Sequence, residues 1–186
     1  SGKVLDVQGG TGADWDGANL QIWDNVGGHN QQWRFESLAQ DYRLIAKHSG
    51  KALDVAFGGS EDGTNVHQWG INSSGGGLAQ RWQIKHEDNG YFSLKNTGSG
   101  KFLDVRHAAT ANGSNVWQWA GNGSCPQMWK FVSAGDGYYR LANKCSGKVL
   151  DVEGGPGAQG DGADPLTRGD SFGGMSTLWY GFTPYP

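Results

Sequence analysis

The amino-acid sequence predicts an all-β fold built from one unit that recurs along the chain. The first observation is a seven-residue block, SGKxLDV, that starts at residues 1, 49, 99 and 146. The second is that each block alternates apolar and polar residues between clusters of Gly, Asn and Ser, which is typical of short half-buried strands. The spacings of 48, 50 and 47 residues indicate a repeat architecture, in which a single unit cannot bury its apolar face alone.

Two further blocks follow SGKxLDV in a constant order. The first of them is NLQIWDN from Asn19, NVHQWGI from Asn65, NVWQWAG from Asn115 and a degraded DPLTRGD from Asp164. The second is QQWRF from Gln31, QRWQI from Gln80, QMWKF from Gln127 and TLWYGF from Thr177. Three more alternating segments begin at Tyr42, Tyr91 and Tyr138. Four strands per unit and three units predict a β-trefoil with pseudo-threefold internal repeats, which hides strand edges by closure.

The chain carries one partial repeat more than a trefoil needs. We treat residues 1–186 as one domain with units 1–48, 49–98 and 99–145 and a degenerate unit 146–186. In one arrangement, residues 42–186 form three complete units and residues 1–41 belong to a preceding trefoil. In the other, which we favour, residues 1–145 close circularly and residues 146–186 are an appendage, because Arg168 and Thr177 replace the Trp and Gln of the other units.

The duplicated SGKVLDV segment also predicts a partner. The block at residues 1–7 and the block at residues 146–152 are identical. Both segments therefore compete for one place in the barrel, which favours a homo-oligomer formed by strand exchange between chains.

Composition excludes two classes of partner. A net charge of -3 and the absence of any block of Lys and Arg remove the electrostatic attraction on which nucleic-acid binding depends, so we expect no nucleic acid. No apolar run approaches the roughly 18 residues of a spanning helix, so we expect no membrane insertion. The chain opens on Ser1 with no leader, which suggests a processed protein or an excised module.

Two cysteines, Cys125 and Cys145, each precede a repeated block. Neighbouring strands could bring them together in a disulfide that closes a loop of about 20 residues and contributes about 3 kcal/mol in the chain-entropy model. Such a bond predicts an oxidising, secreted or extracellular location. The alternative is a pair of free buried thiols.

The ordered set SGKxLDV, N-V-x-Q-W and Q-x-W-x-F resembles the ricin B-type lectin family, also known as family 13 carbohydrate-binding modules, over essentially the whole chain. The resemblance implies a non-catalytic module or lectin. It implies recognition of galactose, arabinose or xylose-type sugars, or of polysaccharide, through shallow multivalent sites. Because such modules commonly accompany glycoside hydrolases, we expect this chain to be part of, or a companion to, a secreted one. No cofactor is implied, and no acidic loop has the ligands that calcium needs.

The resemblance also implies which residues contact sugar. The family combines the Asp of LDV, an aromatic residue with a polar residue two positions before it, and an Asn-Gln pair that opens Q-x-W. A carboxylate or amide pairs with sugar hydroxyls, and a flat aromatic ring packs on the apolar C–H face. The first unit matches every position, with Asp6, Gln21, Trp23, Asn30 and Gln31.

The other units match in part. The second unit keeps Asp54 and Trp69, with His67 as the polar partner and Ala79 in place of Asn, which predicts weaker or altered specificity. The third keeps Asp104 and Trp119, with Trp117 in the polar position and Pro126 in place of Asn, which predicts binding by stacking. The fourth keeps only Asp151, so we expect no binding there.

Several of these residues have a structural alternative. An Asp in the LDV turn can order the loop by accepting backbone N–H bonds, which we expect of Asp151. The Gln residues of Q-x-W serve equally well to hold neighbouring backbone. Trp15 either extends the first site or covers its loop. The Trp residues of Q-x-W are expected in the core rather than in contact with sugar, namely Trp33, Trp82, Trp129 and Trp179.

Two other function classes are weighed against sugar binding. An enzyme needs a nucleophile and base, or two carboxylates across a cleft, but the five His are scattered and the acids fall on separate lobes. A trefoil that binds protein, as a protease inhibitor or cell-surface interaction module, is not excluded by fold alone. The recurring polar and aromatic set favours sugar over either class.

Overall fold

The computed structural model of the chain describes residues 3–38, 41–71, 77–153, 174–175 and 178–180. Strands dominate this part of the chain and, with short 3-10 turns, confirm the predicted all-β class. The segments before and within the first unit are β1 (Lys3–Gln8), β2 (Leu20–Asp24), β3 (Gly27–Gly28) and β4 (Gln32–Leu38). They are followed by β5 (Asp41–Ala46), β6 (Ala52–Val55), β7 (Val66–Trp69) and β8 (Trp82–His86).

The remaining strands repeat this order. The next four strands are β9 (Phe92–Asn96), β10 (Phe102–Val105), β11 (Val116–Trp119) and β12 (Trp129–Gly135). They are followed by β13 (Tyr138–Asn143), β14 (Val149–Glu153), β15 (Gly174–Met175) and β16 (Leu178–Tyr180). The 3-10 turns are Gly10–Gly12, His29–Gln31, Ala56–Gly58, Leu78–Gln80, Asp88–Gly90, Arg106–Ala108 and Cys125–Gln127. Among the described residues, no helix is long and apolar enough to cross a bilayer.

The predicted blocks coincide with these strands. SGKxLDV forms β1, β6, β10 and β14, and the second block forms β2, β7 and β11. In the first three units the Q-x-W block opens with a 3-10 turn and continues as a strand. The Tyr-led segments become β5, β9 and β13. The repeated blocks therefore located these strands correctly, although β6 is buried at all four positions and β2 at all but Trp23.

Three equivalent strand contacts close the barrel. Tyr42 of β5 pairs with Trp82 of β8, and Phe92 of β9 pairs with Trp129 of β12. The third contact joins Tyr139 to Trp33, which brings β13 back to β4 near the start of the chain. These pairings give the pseudo-threefold arrangement of a β-trefoil.

The tryptophans of the Q-x-W blocks fill the barrel, as predicted. Trp33, Trp82 and Trp129 are completely buried. Each indole Nε1 donates to the backbone carbonyl of the leucine in its own unit's LDV, at 3.3, 3.0 and 3.1 Å. A buried indole N–H needs such a partner, so each Trp links the last strand of its unit to the SGKxLDV strand. The side chain of Trp179 lies outside the described residues.

A ring of three asparagines joins the units. Asn65 Nδ2 donates to Asn19 Oδ1 at 2.9 Å, Asn115 Nδ2 to Asn65 Oδ1 at 3.2 Å, and Asn19 Nδ2 to Asn115 Oδ1 at 3.3 Å. Each residue opens the second block of its unit, so the three hairpins meet through this closed cycle. Cyclic satisfaction of buried amides favours one relative placement of the units.

Ionic and polar contacts also cross between neighbouring units. Lys51 Nζ lies 2.5 Å from Asp16 Oδ1, and Lys101 Nζ lies 2.7 Å from Asp62 Oδ1. Lys51 and Lys101 therefore each contact the hairpin loop of the preceding unit. Lys148 continues the pattern on Asn112.

The fourth repeat follows the first strand by strand. β14 runs parallel to β1, with Leu5 opposite Leu150 and Asp6 opposite Asp151. Both strands also pair with β2 in one register, so that Ile22 faces both leucines. In the same way, β15 pairs with β3 and β16 with β4. β1 and β14, which share the sequence Val-Leu-Asp-Val, therefore pair with β2 in the same register.

The predicted disulfide is present. Cys125, at the start of a 3-10 turn, is bonded to Cys145 in the turn after β13. No free cysteine remains among the described residues. The bond holds the third unit to the strand that closes the barrel.

Candidate functional site

Pairing between the SGKxLDV strand and the following strand positions the same three side chains in each unit. The Asp of LDV lies directly opposite the predicted polar partner, as Asp54 does opposite His67 and Asp104 opposite Trp117. The aromatic residue two positions further lies on the same side of its strand, because side chains alternate with a period of two. The first turn of the Q-x-W block then lies against the Asp.

The second unit has an open cleft of about 230 Å³. Side chains from two strands and two 3-10 turns form it, namely Asp54, Phe57, His67, Trp69, Ala79 and Gln80. Ala79 is the position at which the first unit has Asn30, so a smaller side chain leaves space here. The structure therefore brings together the three predicted residues of this unit in one concave surface.

Asp54 and Trp69 present different chemistry to this cleft. His67 Nε2 lies 2.9 Å from Asp54 Oδ1, and among the described residues no donor contacts the other oxygen, Oδ2. The imidazole also stacks on the Trp69 indole, with ring centroids 5.3 Å apart and planes 28° apart. Trp69 remains 39 % exposed. The cleft thus offers a carboxylate oxygen beside an exposed aromatic surface.

Phe57 is a cleft residue that the sequence reasoning missed. It lies in the turn Ala56–Gly58, has φ 56° and ψ 14°, and is fully exposed. Gly9 and His107 occupy the equivalent position in the first and third units, two residues after LDV. A comparison of the repeated blocks could have identified Phe57, since this position holds Gly in the first unit, Phe in the second and His in the third.

In the first unit the predicted residues meet, but around a buried carboxylate. Gln21 Nε2 donates to Asp6 Oδ1 at 2.9 Å, and Asn30 Nδ2 and Gln31 Nε2 donate to Oδ2 at 2.8 and 2.6 Å. Asp6 is only 1 % exposed. Trp23, the predicted aromatic surface, is partly buried. Three amide donors therefore satisfy this carboxylate before any ligand arrives.

Asp151 of the fourth repeat shares the donors of Asp6. Gln21 Nε2 also lies 2.7 Å from Asp151 Oδ2, and Asn30 Nδ2 lies 2.8 Å from Asp151 Oδ1. Two carboxylates that share donors repel each other. Asp151 additionally accepts from the backbone N–H of Val152 at 2.8 Å, in agreement with the structural role expected of it. Arg168 lies outside the described residues.

In the third unit the aspartate is hydrogen-bonded to a tryptophan. Trp117 Nε1 donates to Asp104 Oδ1 at 2.8 Å, and its ring stacks on Trp119 with centroids 4.8 Å apart. His107 packs edge-on against Trp117 at 5.1 Å, and the Arg106 guanidinium lies 5.4 Å from its ring centroid. The side chain of Trp117 therefore contacts four other side chains of this unit at the predicted site.

Burial dominates the electrostatics of this third site. Loss of solvent raises the pKa of Asp104 above its ordinary value of 3.8, and the hydrogen bonds from Trp117 and Gln127 oppose the rise. The nearby carboxylate of Asp62 raises the pKa further, whereas His107 lowers it.

The Gln residues of Q-x-W hold backbone, the structural alternative raised above. Gln31 Nε2 donates to Asp24 O at 2.9 Å while its Oε1 accepts from Val26 N at 3.0 Å. Gln127 repeats this with Ala120 O and Asn122 N at 2.9 and 3.0 Å. Trp15, the other undecided residue, packs against the core cluster, which favours its role as a loop cover.

The fold and these repeated sites define a class: a β-trefoil domain with one aspartate-aromatic site in each unit. The sequence matches the ricin-type β-trefoil lectin domain-like family over residues 1–69 and 78–165. The chain therefore belongs to that family. No curated protein is similar enough to the chain to count as a relative.

Solved structures show the same fold. The designed threefold-symmetric protein ThreeFoil is 43 % identical, with a TM-score of 0.65, over 72 % of this chain and 92 % of its own. An exo-β-1,3-galactanase from Clostridium thermocellum is 35 % identical, with a TM-score of 0.54, over 58 % of this chain and only 23 % of its own. The Rhizoctonia solani agglutinin is 25 % identical, with a TM-score of 0.60, over 70 % and 87 % of the two chains.

Proposed function

We propose that this domain is a non-catalytic carbohydrate-binding module or lectin for galactose, arabinose or xylose-type sugars, or for polysaccharides that contain them. The observation that carries the proposal is the cleft of the second unit, where Asp54 lies beside the exposed ring of Trp69. A sugar has vicinal hydroxyls on its edges and apolar C–H groups on its face. The carboxylate accepts from the former and the indole packs on the latter.

Asp54 can accept a hydrogen bond from a ligand. Its side chain is 12 % exposed, and its Oδ1 is held by His67. That contact orients the carboxylate of Asp54, which is one of the residues that line the cleft. A hydrogen bond from a neutral hydroxyl to a charged acceptor contributes about 1.5 to 3 kcal/mol net. One such bond and one aromatic contact suit a dissociation constant near millimolar, about -4 kcal/mol.

The second unit is the site that we assign first. The first unit keeps the full residue set of the family, but Asp6 is buried under three amide donors and shares two of them with Asp151. In the third unit the Trp117 indole already donates a hydrogen bond to Asp104. Retention on a polymer then depends on several weak sites or several domains that act together, because linked sites raise the effective concentration.

The proposal extends to the parent protein and its location. The similarity to a segment of an exo-β-1,3-galactanase supports a role within, or beside, a glycoside hydrolase. The disulfide between Cys125 and Cys145 supports secretion, since such bonds persist in oxidising compartments. The mass of the native polypeptide tests the first part, because a hydrolase domain requires far more than the 19.9 kDa of this chain.

Binding is tested on the second-unit cleft directly. Galactose, arabinose and xylose are titrated into the protein by calorimetry, and retention on insoluble xylan and galactan is measured in parallel. Asp54→Ala and Trp69→Ala are expected to remove most of the affinity while the fold, followed by circular dichroism, is kept. Lys85→Ala, at an exposed strand position outside the cleft, serves as the control. Loss of binding in none of these variants, or no retention of the wild type on any glycan, would overturn the proposal.

We also propose that the chain forms homo-oligomers by strand exchange. Since β1 and β14 hold the same register on β2, one of them can leave that position and occupy the equivalent position of a second copy. Light scattering after size-exclusion chromatography tests this: we expect a mass above the monomer that rises with concentration and time at moderate temperature. A strictly monomeric protein over that range would contradict strand exchange.

A further inference from the structure

We propose that Phe57 is a specificity-determining residue that contacts the second sugar of an oligosaccharide whose first sugar lies in the second-unit cleft. This inference rests on the proposed function and deepens it, because it assigns the site to oligosaccharides rather than to single sugars. It starts from an aromatic side chain that the fold does not need.

The backbone at Phe57 favours glycine. Its φ of 56° lies in the left-handed region, where a side chain meets the following carbonyl and raises the free energy relative to glycine. The first unit has Gly9 at this position, with φ 104°. A large aromatic residue here therefore lowers stability, and such residues concentrate at binding sites.

The Phe57 side chain does not pack against the core. Phe57 is 100 % exposed, although it is one of the residues that line the cleft. His107, its equivalent in the third unit, is used differently, since its ring packs edge-on against Trp117 at 5.1 Å. Packing within the unit accounts for His107 but not for Phe57.

The dimensions of the cleft indicate what Phe57 contacts. A volume of about 230 Å³ lies below the roughly 300 Å³ at which pockets for drug-sized ligands begin, and it suits one sugar ring beside Trp69. Phe57 is one of the residues that line this cleft, and it is fully open to solvent. An adjacent sugar that leaves the cleft on this side packs its C–H face on that ring.

The test compares ligand length in matched variants. Xylose against xylotriose and galactose against lactose are titrated into wild type, Phe57→Gly and His107→Gly. We expect the wild type to bind the longer sugar of a pair roughly tenfold more tightly, which corresponds to about 1.4 kcal/mol. Phe57→Gly is expected to lose this gain and keep the affinity for the single sugar. His107→Gly, the same change at the equivalent turn of the third unit, is expected to keep both affinities.

Stability supplies an independent readout. Phe57→Gly is expected to keep or raise the melting temperature, so loss of oligosaccharide affinity cannot be attributed to unfolding. Equal affinity of the wild type for single and longer sugars, an unchanged gain in Phe57→Gly, or an equal loss for both ligands would overturn the inference and leave the proposed function intact. Absence of binding by the wild type to every sugar would instead overturn the proposed function itself.

Discussion

Trp117 donates from its indole Nε1 to Asp104 Oδ1 at 2.8 Å. In the third unit, an aromatic side chain of the same unit is therefore hydrogen-bonded to the aspartate of the predicted site. In the first unit the equivalent residue is Gln21. At this one position the third unit has a tryptophan as the hydrogen-bond partner of its aspartate, whereas the first unit has the amide of Gln21.

Opening the third site is the first prediction. Trp117→Gln removes a large ring from above Asp104 and is expected to add one further weak sugar site. The stoichiometry of xylose or galactose binding, followed by NMR titration, checks this. Trp117→Phe is the control, because it removes the indole donor and keeps a ring beside Trp119. An unchanged stoichiometry in Trp117→Gln would show that the third unit cannot bind.

The second prediction concerns pH. Burial raises the pKa of Asp104 in the folded state, so the folded protein binds this proton more tightly than the unfolded chain. Its contribution to stability is therefore greatest at low pH and falls as pH rises from about 3.8 through the raised value. Asp104→Asn is expected to flatten this fall and to be at least as stable as the wild type at pH 7. Urea denaturation between pH 3 and 7 measures both curves.

Asp62 supplies a control of opposite sign for the pH experiment. A hydrogen bond from Lys101 is the main cause that lowers the pKa of this exposed carboxyl. Its contribution is present above the ordinary value of 3.8 and is lost as pH falls through the lowered value. Asp62→Asn is therefore expected to weaken stability at pH 7 rather than preserve it. The same direction of change in both variants would contradict the assignment of cause.

The third prediction tests the duplicated strand. Leu5 of β1, Leu150 of β14 and Leu53 of β6 are completely buried. A buried unpaired aspartate costs several kcal/mol, so Leu53→Asp is expected to unfold the domain. Leu5→Asp and Leu150→Asp are each expected to be tolerated, because the other copy of SGKVLDV takes the position beside β2. The double variant is expected to unfold.

Thermal melts and circular dichroism of these four variants distinguish two arrangements. If Leu150→Asp leaves the fold intact and Leu5→Asp does not, residues 1–145 close the trefoil by themselves. If the reverse holds, the fourth repeat completes it. Unfolding in both single variants would show that the two strands are not interchangeable.

The fourth prediction concerns the asparagine ring. Asn65→Ala breaks two of the three amide contacts in this part-buried cycle and leaves only the one between Asn19 and Asn115. The expected loss of unfolding free energy is about 1 to 3 kcal/mol, measured by urea denaturation. Gln83→Ala, at an exposed position of β8, is expected to change stability by less than about 0.5 kcal/mol. A loss in Asn65→Ala no larger than in this control would exclude a role for the ring.

Much of the fold was predictable because its signals are local. Alternation of apolar and polar residues located the strands, and the recurrence of Trp33, Trp82 and Trp129 identified the core. The pairing of Cys125 with Cys145 was one of two alternatives that the sequence offered, because each cysteine precedes a repeated block. The ring of Asn19, Asn65 and Asn115 was visible only as a recurring letter, since three hairpins from distant parts of the chain meet only when the barrel closes.

The sequence by itself determined the β-trefoil, its repeat and the recurrence of an aspartate and an aromatic residue in each of the first three units. Only the tertiary structure decided which aspartate faces an open cleft. Asp6, Asp54 and Asp104 stand in identical LDV blocks, but their exposure depends on side chains from the facing strand and the Q-x-W turn. Gln21, His67 and Trp117 are the hydrogen-bond partners of these three aspartates, and they differ in size and shape. Access to each carboxylate therefore depends on how the side chains pack around it and not on the motif that contains it.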